Sequence, residues 1–369
     1  MNIDLKEQAH GEIEQIFRIL LPQNGLAVRE EQIALCHAML DTLLHNKIAL
    51  CDAGVGIGKT YAYLTACILL KKFYPSGPAG SQPVVVSTSS VALQDAIIGE
   101  YIPFLSRIFL ENHIIPKPIR AMVRKGKERF VCDARLAQRL EAVKGKNKNE
   151  EQRKALFSLQ SNYDLDAVTG LSGFDRRQVC VPKVCEKTCR LRNRCRYHQY
   201  LKEARSAEIF VQICNHNLLL ADLIHRSQKK KSILPDSAAI IIDEAHKLPE
   251  TARQMFGVTL NAQDFAELIR SLHVERYVLA AELLSEAVEP LAEKLSLPGE
   301  EGAGFETYQM FLERPHQVLT VICRQLEGLL TRETWRLLSA VASTVSLFYL
   351  GNPEMIFYAA DDDHGGAML

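Results

Sequence analysis

Apolar residues in the first part of the chain recur at helical spacing. Ile13, Ile16, Phe17 and Leu20 lie three and four residues apart, which predicts an amphipathic helix over residues 5–20, broken by Pro22 and Gly25. A second helix is predicted from Arg29 to His45. The pattern then changes to short continuous apolar runs, each followed by a helical stretch. Ile48–Cys51 predicts a strand leading to a helix from Lys59 to about Lys72, and Val84–Val86 predicts a buried strand leading to a helix from Val91. Residues 75–83 read as a loop from their Pro, Gly and Ser content. Further strands are predicted over Ile209–Ile213 and Ala239–Ile242. Alternating strand and helix predicts an α/β fold, a parallel sheet with helices on both faces. The alternation lapses between Arg120 and Tyr200, where a hydrophilic, low-complexity stretch spans residues 144–154; this segment reads as an inserted module. After Glu250 the pattern is helical, Ala262–Leu295 and then Phe305–Leu350, parted by a turn at residues 297–302. No comparable strand signal and no internal repeat follows.

Composition sharpens this outline. A chain of 369 residues has room for two or three domains with ample core. Its longest uncharged apolar stretch, Leu337–Leu350, falls short of the ~20 residues a membrane helix needs and reads as a buried helix. The first residues, Met1-Asn2-Ile3-Asp4-Leu5-Lys6, lack an apolar signal core, so a cytoplasmic protein without membrane association is expected. The formal net charge of zero conceals an asymmetry: residues 117–196 carry 21 Lys and Arg against 9 Asp and Glu, whereas residues 247–369 carry 9 against 18. A basic block inside a neutral chain predicts a phosphate-backbone partner.

Two motifs carry the chemistry. Residues 53–60 read Ala53-Gly54-Val55-Gly56-Ile57-Gly58-Lys59-Thr60, a Gly-rich turn entering a helix, whose N–H groups can close around phosphates. Lys59 can then reach the β- and γ-phosphates, and Thr60 can ligate Mg²⁺. Residues 239–246 read Ala-Ile-Ile-Ile-Asp-Glu-Ala-His, an apolar run ending in adjacent carboxylates. Asp243 would hold the same Mg²⁺, and Glu244 would orient or deprotonate the attacking water. ATP or a relative is the ligand these halves predict.

The ten cysteines of a chain expected to stay inside the cell point to metal rather than disulfides. Cys180, Cys185, Cys189 and Cys195 fall within sixteen residues, spaced C-x4-C-x3-C-x5-C, and Cys132 stands at the start of the same basic segment. Thiolates this close repel one another unless a metal binds them. Zinc sites favour C-x2-C pairs, whereas wider spacing suits a four-iron, four-sulfur cluster; the residues alone leave both open. Cys36, Cys51, Cys67, Cys214 and Cys323 lie in apolar patterns and read as small core residues.

With these residues in place, the chain resembles the DinG/XPD family of iron–sulfur DNA helicases, within superfamily 2. Arg29 and Gln32 look like the family's adenine-reading motif, and Ala53–Thr60 like its phosphate loop. Val84–Gln94 resembles the motif that touches single-stranded DNA, and Lys125-Gly126-Lys127 leading to Cys132 resembles the approach to the first cluster ligand. Cys189-x5-Cys195, then Tyr197 and Ala204-Arg205, resembles the end of the cluster domain. Asn215–Asp222 resembles the return to the motor domain, and Asp243-Glu244-Ala245-His246 the family's box of that sequence.

The resemblance implies a RecA-like motor domain over residues 1–116 and 200–256, an inserted iron–sulfur domain over 117–199, and a helical arch over 257–369. It implies ATP, Mg²⁺ and a [4Fe–4S] cluster as cofactors, the cluster held by Cys132, Cys185, Cys189 and Cys195 with Cys180 as the substitute. His246 would link nucleotide state to the motor, and Ser87, Thr88, Gln94, Lys125 and Lys127 would touch DNA. The activity implied is 5′–3′ translocation on single-stranded DNA and unwinding of forked duplex DNA by a protein expected to be monomeric. The Ser-Ala-Thr motif that closes the first motor domain and the whole second motor domain are missing from this sequence, so an incomplete helicase is expected. The alternatives are a DNA-binding module without ATP turnover and a zinc-containing, RNA-directed ATPase.

Overall fold

The computed structural model describes residues 3–75, 78–144, 149–182, 185, 188–296, 305–353, 355–358, 360–361 and 367–368. They form two compact units, Met1–Met255 and Phe256–Leu369.

The first unit is built on a four-stranded parallel sheet. Its strands are β1 (Val84–Thr88), β2 (Arg120–Val123), β3 (Ile209–Asn215) and β4 (Ala239–Ile242), in the spatial order β2-β3-β1-β4. Alternation along β1 shows why the sheet is covered twice. Val84 and Val86 join Val211, Ile213 and the helices Glu30–Leu44 and Lys59–Phe73 in one core, while Val85 joins Cys214, Leu218 and Leu219 in another. All five residues of β1 are buried, as expected of a strand with partners on both edges and both faces. The predicted α/β arrangement with helices on both faces is present. Strand β2 escaped prediction because it is an edge strand, half exposed and opening on Arg120.

The N-terminal helix departs from its predicted end. It runs as helix from Ile3 to Gln23, with a π turn over Ile16–Leu20 in which the Leu21 N–H reaches back to Ile16 O. The helix after β1 does the same: a π turn spans Ile97–Tyr101, the Ile102 N–H bonds Ile97 O, and Pro103 follows. In both helices the proline comes two residues after the π turn. A widened turn spares the helix the missing N–H and the ring clash that proline brings, so neither Pro22 nor Pro103 breaks its helix.

The predicted strand Ile48–Cys51 is absent. These residues are extended but unpaired, and Ile48 and Leu50 are each 95% exposed. Among the described residues β4 pairs with β1 alone, and Ile240 and Ile242 are 48% and 37% exposed. An apolar run becomes a strand only where a ladder partner exists, and among the described residues none is offered here. Cys51 is exposed for the same reason, whereas Cys36, Cys67 and Cys214 are core residues as expected and Cys323 is half-buried. Residues 78–81, expected as loop, form a short helix.

Between β2 and β3 the chain builds a small cluster of its own around Val131, Leu136, Leu140, Leu156, Leu165 and Val179. An aromatic group, Phe130, Tyr163, Tyr197 and Tyr200, packs beside it. Arg124, buried at the end of β2, ties this group to the sheet through Tyr200 Oη at 3.2 Å, Gln212 Oε1 at 2.5 Å and Ile233 O at 3.0 Å.

The second unit is helical, with main helices Ala262–Val274, Val278–Ser296, Glu313–Leu326 and Arg332–Leu350. The two long predicted helices are thus each divided, and the turn predicted at residues 297–302 lies outside the described residues. Asn261 and Asp264 form a reciprocal capping box, which fixes where the first helix starts. In Arg332–Leu350 the buried residues Leu338, Val341, Val345 and Phe348 recur at three and four, so one face is core and the other open. No helix among the described residues is long and apolar enough to cross a membrane. Ala360–Asp361 pairs with Ala367–Met368 in a short antiparallel ladder.

Candidate nucleotide site and cysteine group

The phosphate loop is shaped by two glycines in left-handed backbone, Gly56 and Gly58, both at φ 85°. Gly58 caps the helix Lys59–Phe73, whose first N–H groups have no partner within the helix and face the loop. Lys59 Nζ donates to Ala53 O at 2.9 Å and Gly54 O at 3.4 Å, so its ammonium closes the mouth of the loop. Arg29 donates to Gly56 O, and Gln32 Nε2 donates to Gly58 O at 2.7 Å. The pair expected to read adenine therefore braces the loop's own carbonyls. Val55 at the tip is fully exposed.

The carboxylate pair stands at the end of β4. The Asp243 N–H donates to Ser87 O at 2.8 Å, which extends the β1–β4 ladder by one residue. Asp243 is buried; its Oδ1 accepts the Glu244 N–H at 2.9 Å and its Oδ2 takes a long bond from Tyr63 Oη at 3.4 Å. Burial, and after it the negative charge of Asp243, drives the Tyr63 phenol far above its ordinary value, with Thr60 acting on the same hydroxyl. Tyr63 and Thr60 both belong to the phosphate-loop helix, so the Tyr63 hydroxyl ties that helix to Asp243. No Lys or Arg among the described residues pairs with Asp243. A buried carboxylate without a cation fits a metal ligand. Glu244 sits at φ 54°, ψ 41°, and its Oε2 is 3.5 Å from Nε2 of the exposed His246.

The residues expected to touch DNA are engaged within the protein. Ser87, Thr88 and Gln94 are buried. The Ser87 hydroxyl is 2.8 Å from His216 Nδ1, and Thr88 Oγ1 accepts the Ser90 N–H. Lys125 binds Asp164 at 2.6 Å and Asp166 at 3.4 Å, joining β2 to the inserted segment, and Lys127 begins a short 3₁₀ turn. His216 is the site residue the sequence reading passed over. A polar residue ending an apolar strand and opening an apolar helix was the available signal.

Two of the five clustered cysteines are held near each other by an ion pair. Cys132 and Cys195 each immediately precede a helix, Asp133–Val143 and Arg196–Glu203. Asp133 accepts the Arg196 N–H at 2.9 Å and the Arg196 Nε–H at 2.8 Å, clamping the two helix starts together. The Cys185 thiol is pushed above its ordinary value by burial first, then by the neighbouring thiols of Cys132, Cys189 and Cys195, with Arg192 opposing. Cys180 is placed differently: it bridges Val131 in the backbone, and its Sγ contacts Arg177 O at 3.4 Å. All ten cysteines are free. Among the described residues no three donors stand at metal-binding separation.

A parallel α/β sheet, a Gly-rich turn entering a helix and adjacent carboxylates at a strand's C-terminal end define the class, a P-loop-type α/β protein. No protein-family model matches the chain. It is similar to the ATP-dependent DNA helicase YoaA of Escherichia coli, 27% identical over 261 residues, 68% of this chain and 38% of that protein. It is also similar to proteins named 3′-5′ exonuclease DinG: 28% identical over 246 residues to that of Bacillus subtilis (63% of this chain, 24% of that protein) and 26% over 265 to that of Staphylococcus epidermidis (71% and 27%). These similarities, about a quarter of the residues identical over some two thirds of this chain, support the resemblance to the DinG/XPD family. It spans between about a quarter and two fifths of the length of these relatives.

Proposed function

We propose that this chain carries the ATP-binding motor lobe, the cluster-bearing insert and the arch of an ATP-dependent DNA helicase that moves 5′–3′ on single-stranded DNA. One observation supports this reading above the others: Tyr63, on the phosphate-loop helix that also carries Thr60, bonds Asp243 through its hydroxyl. In the proposed reaction the loop N–H groups and Lys59 hold the phosphates, Thr60 and Asp243 hold Mg²⁺, and Glu244 orients and deprotonates water. Mg²⁺ supplies charge neutralisation between the phosphate oxygens when bound. Cys132, Cys185, Cys189 and Cys195 would hold the [4Fe–4S] cluster, which ties distant loops into one rigid block. The basic insert would carry the DNA-backbone contacts.

Two features of the sheet bear on how well this lobe works alone. The free edge of β4, which leads into Asp243, and the unpaired run Ile48–Cys51, which leads into the phosphate loop, both expose apolar side chains. A strand laid between them would satisfy both ladders and bury Ile48, Leu50, Ile240 and Ile242. Full burial of each would contribute about 1.5–3 kcal/mol. The working site is therefore proposed to include such a strand.

ATP turnover with and without single-stranded DNA, beside Lys59→Ala, tests the function. Slow turnover at best, stimulated by DNA more than by RNA and lost in the variant, is expected of a lobe without that strand and the second motor domain. Nucleotide-independent DNA binding with no turnover would instead make the chain a DNA-binding module. Anaerobically purified protein should be brown, with about four iron and four sulfide per chain. The colour should be lost in Cys189→Ser and kept in Cys180→Ser; a colourless, zinc-loaded protein would refute the cluster.

A further inference from the structure

The proposed chemistry leaves one buried polar group without a role. His216 opens the helix His216–Ser227 and is 1% exposed. Its Nδ1 is 2.8 Å from Ser87 Oγ, whereas its Nε2 is buried with no hydrogen-bond partner. An unmet buried nitrogen costs stability, and in a functional site it calls for a partner that arrives later.

The surroundings indicate which partner. Ser87 lies on the central strand, opposite Cys214 of β3 on one side and Ile242 of β4 on the other. It holds His216 with its side chain and Asp243 with its main-chain carbonyl. Burial chiefly keeps the His216 ring neutral, and Lys247 adds to this; a contact with the Glu244 main chain, too poor in geometry to satisfy Nε2, and the charges of Asp243 and Glu244 act the other way. In the tautomer with hydrogen on Nε2, the Ser87 hydroxyl donates to Nδ1 and the ring's own N–H is left over. Glu244 meanwhile sits at φ 54°, ψ 41°, a left-handed conformation that strains a residue with a side chain. An unmet donor and a strained peptide are thus neighbours beside the carboxylate pair.

We infer that His216 is a positioning residue, whose Nε2–H closes on the main-chain carbonyl of Glu244 when Mg²⁺–nucleotide occupies the loop. That bond fixes the carboxylate assigned to water activation and connects it, through Ser87, to the central strand. The inference rests on the nucleotide reading above. Two variants separate the ring's nitrogens. His216→Asn places an amide near the Nδ1 position and keeps the Ser87 link. His216→Gln reaches the Nε2 position and keeps a donor toward Glu244.

Affinity for Mg²⁺–ADP, measured with a fluorescent ADP analogue, should stay within about twofold of the parent in His216→Gln and fall about two- to tenfold in His216→Asn. In the parent chain the ¹⁵N resonance of His216 Nε2 should move on adding Mg²⁺–ADP. A purely structural Ser87–His216 link predicts the reverse order of the variants, and that order overturns the inference. Equal affinities with an unmoved Nε2 resonance overturn it as well, while leaving nucleotide binding in place. Should a variant misfold, the parent resonance decides alone. Absence of Mg²⁺–ADP binding in the parent removes the nucleotide reading and this inference with it.

Discussion

Adding one methyl group at each glycine of the phosphate loop should produce a graded series. At Gly58 a Cβ would overlap the Gln32 amide nitrogen, and φ is +85°. The left-handed backbone costs a side-chain-bearing residue about 1–2 kcal/mol. Displacing Gln32 forfeits its hydrogen bond to Gly58 O, worth about 0.5–1.5 kcal/mol. Gly58→Ala should therefore lose about 2–3 kcal/mol, and because the loop is exposed the loss should fall on the loop rather than on global unfolding. Expressed as nucleotide affinity this is about 30- to 150-fold. Gly56 shares φ +85° with nothing within 4 Å of its Cβ, so Gly56→Ala bears only the backbone strain. Gly54 has no left-handed backbone, and its Cβ would meet Ile57 Cδ1 at 3.6 Å, an ordinary contact. Gly54→Ala should thus stay within about 0.5 kcal/mol. Titration with a fluorescent Mg²⁺–ADP analogue reads all three, with Gln32→Ala added to Gly58→Ala to relieve the overlap. Equal losses at the three positions, or a Gly58→Ala affinity within twofold of the parent, would refute the reasoning.

Other expectations are separable from nucleotide binding. Lys125→Ala breaks a partly buried pair with Asp164 and Asp166 and should destabilise the first unit by about 1–2 kcal/mol in urea. Its affinity for single-stranded DNA should change less than twofold; a large affinity loss with unchanged stability would reverse that assignment. Asn261→Ala removes the capping box of Ala262–Val274 and should cost about 1 kcal/mol, seen as a lower urea midpoint for the second unit. Hydrogen bonds from Arg18 and then His37 hold the Glu14 carboxyl below its ordinary value. Its contribution is therefore complete above about pH 4.3 and is lost as pH falls through the lowered value. Hydrogen exchange of the helix Ile3–Gln15 should accelerate in that acid range beyond its intrinsic trend, and less so in Glu14→Gln. Ile48→Ser and Leu50→Ser should shift stability by less than about 0.5 kcal/mol, since both side chains are exposed; a larger loss would mean the run is paired in solution.

The parts of this molecule that were legible in its sequence are those whose physics is local. A Gly-rich turn before a helix and an apolar run ending in Asp243-Glu244 carry their chemistry within a few residues. Strands β1 and β3 were legible because their apolar runs report burial on both faces, and β4 from its apolar run although Ile240 and Ile242 are exposed. The same signal misled at Ile48–Cys51, because apolar character reports a tendency to pair and says nothing of whether a partner strand is present. Pro22 misled for a related reason: the π turn that accommodates it is cooperative over five residues and leaves no single-residue mark. His216 carried a local signal, a polar residue between an apolar strand and an apolar helix, but its role comes from strands brought together from positions 87 and 243. The choice among five cysteines was open in the spacing; the Asp133–Arg196 clamp, set by two helix starts far apart in sequence, brings Cys132 and Cys195 near each other, a pairing no local pattern could carry.

The measurement closest to the central claim is calorimetric titration of the chain with a non-hydrolysable ATP analogue, with and without Mg²⁺. One site is expected, with binding strengthened by Mg²⁺, abolished by Lys59→Ala, and with its Mg²⁺ dependence removed by Asp243→Asn. Binding that ignores Mg²⁺ and survives both substitutions, or no binding at millimolar nucleotide, would contradict the assignment of Lys59, Thr60 and Asp243 to a nucleotide site.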